Sequence, residues 1–161
     1  MAIPYTYTAG QVLEAASLNA NFTAVYDTYA TYTPTVTGWT QGNATFNAKY
    51  AVSGDTVHAF GEFIVGSTTA VTASNLNLSL PVTANDSPHS LGFSMWTDVS
   101  AGSSVAGYSE LITTTTMNLT WLDPEAAPIA VRLEQWKTGV TLPFTIATGD
   151  YIRWDLFYRK A

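Results

Sequence analysis

The chain offers few residues with which to do chemistry, and their spacing narrows the choice. There are two histidines and no cysteine. His58 falls inside an alternating run and faces with Phe60 and Glu62, whereas His89 sits in the polar stretch NDSPHS. A metal site needs three or four convergent ligands, and two isolated imidazoles without thiolates do not supply them. Asp86 beside Asn85 could ligate calcium, but such loop acids are more often turn formers. Glu62, Asp98, Glu110, Glu125, Glu134 and Asp155 could include two carboxyls at the ~5–9 Å separation used in glycoside hydrolysis. Twelve scattered acids in a β-rich chain provide such pairs by chance. There is no GxSxG elbow, P-loop or GxGxxG. The expectation is a protein without catalysis, cofactor or metal.

The aromatic residues are the remaining candidates. Trp39, Trp96, Trp121, Trp136 and Trp154 accompany nine Tyr. An exposed ring stacks on a sugar or anchors an interface. By strand parity Trp96 lies opposite Phe93 and Met95, and Tyr108 shares a face with Glu110, which makes Trp96 and Tyr108 a candidate glycan platform. The competing reading is that these rings fill the second face of a sandwich or an oligomer seam.

Composition limits the partners. Charged residues are 11% of the 161 positions, well below the usual ~25%, and Thr, Ser and Asn take their place. The net charge of −6 with six Lys and Arg offers no basic stripe for phosphates, so nucleic acid is an unexpected partner. No apolar run approaches the ~20 residues of a membrane helix, so no membrane insertion is expected. The start MAIPYTYTAG lacks a basic n-region and an apolar h-region, so no secretory signal is expected there.

The elements that would position these residues are mostly strands. GQVLEAASLNANFTAVYDTY, residues 10–29, is the exception. Leu18, Phe22, Val25 and Tyr29 fall at spacings of four, three and four, a heptad-like seam on one helical face. Gly10 breaks the preceding chain, Glu14 favours a first turn, and Ser17 is an alternative late N-cap. The helix is expected to end near Tyr29 or Ala30, before the β-branched run and Pro34. Such a helix is marginal alone and must pack, either on its own domain or on copies of itself or a neighbour.

From Thr33 the period is two. Ala44, Phe46, Ala48, Tyr50 and Val52 point one way. The SGD turn at Ser53–Asp55 returns the chain through Val57, Ala59, Phe63 and Val65, giving a β-hairpin. LNLSLP places Leu76, Leu78 and Leu80 together. SLGFSMWTDV offers Leu91, Phe93 and Met95 inward, IAVRLEQW adds Ile129, Val131 and Leu133, and Ile152, Trp154, Leu156 and Tyr158 share one face of the last strand. Arg153 and Asp155 share its other face and could pair laterally. Roughly eight short strands with frequent turns predict a mainly β fold, a jelly-roll-like antiparallel β-sandwich preceded by one short N-terminal α-helix. The expected division is a segment over 1–32 and a sandwich over 33–161.

AGQVLEAASLNANFTAVYD resembles an N-terminal segment shared by many tailed-bacteriophage virion proteins. The matching positions are Gly10, Val12, Leu18, Asn19 and Phe22; that family often has Thr or Ser where Glu14 stands here. YTPTVTG, AKYAVSGDTVHAFGEF, LNLSLP and LPFTIATGDYIRWDLFYR resemble a small β-sandwich of phage fibre, baseplate and head-surface proteins. Its anchors here are Tyr32, Pro34, Tyr50, Gly54, Val57, Leu78, Leu80, Pro81, Gly149, Asp150 and Tyr158. The resemblance implies a structural virion protein assembled in the host cytoplasm. It implies a homotrimeric minor tail or tail-fibre protein, joined to other virion proteins through its N-terminal segment, with Leu18, Phe22, Val25 and Tyr29 as the oligomer or attachment seam. The alternatives are a head decoration protein or capsid fibre, and a carbohydrate-binding module with a host cell-surface glycan as partner.

Overall fold

The computed structural model describes residues 5–12, 14–25, 29–71, 75–85, 92–123, 132–134 and 143–161, with backbone alone at 22–25, 123 and 132–134. The elements in chain order are α1 (Ala15–Val25), β1 (Ala30–Tyr32), β2 (Val36–Thr37), β3 (Thr45–Ser53), β4 (Thr56–Ile64), β5 (Asn77–Ser79), β6 (Phe93–Asp98), β7 (Ser103–Gly107), β8 (Ser109–Leu111), β9 (Thr116–Leu119), β10 (Trp121–Asp123), β11 (Arg132–Glu134) and β12 (Tyr151–Arg159). The fold is mainly β, as the alternating pattern predicts, with two antiparallel sheets and one short N-terminal helix. One sheet has the order β1-β3-β4-β12-β6-β7, the other β2-β5-β9-β8, and β10 and β11 form a separate pair. Among the described residues there are twelve strands where about eight were expected, partly because residues 116–123 divide into β9 and β10.

The expected hairpin is present. β3 and β4 pair from Thr45↔Ile64 to Ser53↔Thr56. Gly54 takes φ 58°, while no described non-glycine residue has positive φ. That combination at a two-residue loop is the II′ pattern, whose twist matches that of the strands. β12 lies between β4 and β6 and pairs with both. Its alternation is the clearest in the molecule, with Ile152, Trp154, Leu156 and Tyr158 buried and Arg153 and Phe157 exposed.

The inner faces of the two sheets share one core. Val57, Ala59, Phe63, Trp96, Ile152, Trp154 and Leu156 meet Leu78, Leu111, Met117 and Leu119. Within it, Ser94 Oγ and Trp96 Nε1 both donate to the Thr120 carbonyl, at 2.7 and 2.9 Å. A Cβ at Gly107 would collide with that same carbonyl, so only glycine lets β7 pass so close to residue 120. Asp150, also buried, accepts from Val99 N–H at 3.0 Å and Ala147 N–H at 2.7 Å. It thereby ties the turn before β12 to the end of β6. Tyr158 Oη donates to the Val82 carbonyl at 2.8 Å, and burial pushes its hydroxyl to a higher pKa.

Three expectations are corrected. The buried face of β6 is Ser94 and Trp96, not Phe93 and Met95: Phe93 is 50% exposed and Trp96 fully buried. The neighbour decides this. Ser94 pairs with Trp154 and Trp96 with Ile152, so the inward face of β12 carries Ser94 and Trp96 inward with it. The sheet also begins earlier than residue 33, because Ala30–Tyr32 already pairs with Ala48–Tyr50. Lastly, the helix is described over Ala15–Val25, and Tyr29 stands immediately before β1, outside the helix. Leu91, Ile129, Val131, Trp136, His89 and Asp86 lie outside the described residues.

The first helical hydrogen bond runs from Leu18 N–H to the Glu14 carbonyl at 3.0 Å, which puts Glu14 at the N-cap and Ser17 inside the first turn. None of the described α1 side chains belongs to the sandwich core. The helix instead carries its own arm: the Asn21 side-chain amide accepts from Tyr5 N–H and donates to the Tyr5 carbonyl, both at 3.0 Å.

Candidate functional site

The outward face of the six-stranded sheet gathers most of the residues capable of recognition. Strand parity and register lay them out in rows. Asn47, Glu62, Arg153 and Met95 form one row across β3, β4, β12 and β6. Lys49, Phe60, Asp155 and Phe93 form the next. Ala51, His58 and Phe157 form the third, and Tyr29, one residue before Ala30, lies level with Ala51.

Two polar side-chain contacts cross from β12 to β4. Arg153 Nε donates to Glu62 Oε2 at 2.6 Å, which raises the guanidinium pKa further. The same guanidinium lies 4.3 Å from the centre of the Tyr151 ring. His58 Nε2 is 3.1 Å from Asp155 Oδ2. A carboxylate only accepts, so in a neutral imidazole Nε2 carries the proton and Nδ1 is left to accept. Its donor is the Tyr29 hydroxyl at 2.9 Å. The small side chain of Ala51 leaves room for Tyr29 to reach across β3. Around this chain the rings pack closely. His58 stacks on Phe157 with centroids 4.0 Å apart and planes 6° apart, and Tyr29 meets Phe60 edge-on at 5.1 Å.

Between the first two rows lies an open depression of about 410 Å³. Asn47, Lys49, Phe60, Glu62, Arg153 and Asp155 form its rim and walls, and the strands at Gly61 and Trp154 its floor. The floor is low because both of those positions point inward: a Cβ on Gly61 would strike the Trp154 ring and Ala48.

The candidates read from sequence are placed differently. Trp96 has no exposed surface; it packs edge-on against Trp39 and Trp121 and its N–H is bonded to Thr120. It cannot stack on a ligand, so the Trp96–Tyr108 platform is not assembled. Tyr108 alone is exposed. Of the seam, Leu18 is 36% exposed on α1, and Tyr29 is removed from it by its contacts with His58 and Phe60. Phe22 and Val25 lie on the helix backbone, with side chains outside the described residues. Among the described residues, no three His, Asp or Glu side chains cluster as a metal site, and no helix is long and apolar enough to cross a membrane.

Asn47 and Lys49 were not singled out by spacing, and Arg153 and Asp155, expected to pair laterally, instead contact Glu62 and His58 on β4. Parity puts Asn47 with Lys49 and Phe60 with Glu62, but the insertion of β12 beside β4 joins residues ninety positions apart, which no local pattern signals. No protein-family model, curated protein or solved structure matches the chain.

Proposed function

We propose that this chain is a structural component of a tailed-phage virion, a small homotrimeric minor tail or tail-fibre protein on the particle surface. In this reading residues 1–28 attach it and bring its copies together. The observation that carries the reading is the division of labour between helix and sandwich. The described side chains of α1, Ala15–Asn21, contribute nothing to the sandwich core, which supports a partner for the helix other than that core. An isolated helix of eleven residues is too short to persist in water without packing. The resemblance of Gly10, Val12, Leu18, Asn19 and Phe22 to a phage N-terminal segment supplies the partner class. A surface rich in Thr, Ser and Asn suits an exposed particle protein. The reading assigns no catalysis. Both acids of the depression are already engaged, Glu62 by Arg153 and Asp155 by His58.

The test is to produce phage particles in which the chain lacking residues 1–28 replaces the full chain. The truncated protein is expected to keep its strand signal in circular dichroism and to be missing from purified particles by mass spectrometry. Truncated protein found in particles at the normal ratio would contradict the assignment of attachment to this segment.

A further inference from the structure

We propose that the depression on the outer face of the six-stranded sheet binds a neutral saccharide, holding one pyranose unit. Its volume of about 410 Å³ falls within the ~300–1,000 Å³ of small-molecule sites. Its chemistry selects the ligand class. Lys49 and Arg153 balance Glu62 and Asp155, so the lining carries no net charge. A phosphate or sulfate entering it would face two carboxylates, and a cation would face an ammonium and a guanidinium. A polyhydroxylated ring satisfies all of them at once, because each hydroxyl both donates and accepts. The carboxylates accept from it, the Lys49 ammonium donates to it, and the Asn47 amide does both. Phe60 gives an apolar wall for the C–H face of the sugar. The cross-strand contacts Arg153–Glu62 and His58–Asp155 hold two of these groups in place before any ligand arrives, which lowers the ordering cost of binding. Asn47 and Lys49 are exposed and outward-facing, so the rim is open to a ligand. The proposal is independent of the virion reading, since a chain that never enters a particle still carries this face.

The experiment is saturation-transfer NMR on the full chain with methyl glycosides of glucose, galactose, mannose, rhamnose and N-acetylglucosamine at millimolar concentration. The expected result is transfer to the ring protons of at least one glycoside, with little change between low and high NaCl. Asn47→Ala with Lys49→Ala removes two exposed side chains and is expected to keep the melting temperature and weaken binding at least tenfold. Tyr108→Ala, on another part of the surface, is expected to leave binding intact. Three results would overturn the proposal: no transfer from any of the five glycosides, transfer that survives the double substitution, or binding of inorganic phosphate in place of the glycosides. If binding is seen while the truncated chain still enters particles, the saccharide site stands and the attachment reading falls.

Discussion

Tyr32 shows how burial sets a measurable property of a single residue. It packs against the sandwich core, and desolvation raises its hydroxyl from the usual 10 to about 12; the nearby Trp154 indole opposes this slightly. The two groups approach but fall short of hydrogen-bond geometry. A folded-state pKa above the unfolded value means that the stabilisation is complete below pH 10 and is lost as pH rises towards 12. The effect is on the order of 2–3 kcal/mol. Thermal unfolding is therefore expected to be flat from pH 7 to 9 and to fall steeply above 10, and Tyr32→Phe is expected to make that alkaline fall shallower. An unchanged alkaline limb in the variant would assign it to other groups. Asp150 gives a second residue-scale prediction. Asp150→Ala leaves the Val99 and Ala147 N–H groups without their acceptor. Charged hydrogen bonds contribute roughly 1.5–3 kcal/mol each, so the urea midpoint should drop with an unchanged slope.

Elements differ in how plainly the sequence announces them. The β3–β4 hairpin and β12 were legible because each alternates cleanly and because Gly54 marks the turn. β6 was not, because apolar side chains occupy both its faces and only its pairing with β12 decides which is buried. Tyr29 was assigned to the helical seam for a related reason: it continues the apolar spacing of the helix, yet its ring and hydroxyl find Phe60 and His58 on the sheet. The depression was illegible, since it depends on β12 lying beside β4. The resemblance anchors Gly54, Leu78, Asp150 and Tyr158 all turn out to hold the sandwich together, so they speak to fold more than to function. For α1 the expectation is specific. If copies pack through the face bearing Leu18 and Phe22, Phe22→Asp places carboxylates together in an apolar seam at several kcal/mol per ion. Sedimentation should then show monomers while the sandwich keeps its strand signal. Trimers that persist in this variant would mean that the helix packs through another face.

At the scale of the whole molecule, none of the described α1 side chains belongs to the sandwich core, and the proposal to be tested is that residues 1–28 bring three copies together. Light scattering coupled to size exclusion, at micromolar concentration, tests this most directly when the full chain and the chain lacking 1–28 are compared. The full chain is expected at a mass near three times 17.3 kDa and the truncated one as a folded monomer. A monomeric full chain, or a truncated chain that remains trimeric, would contradict the proposal.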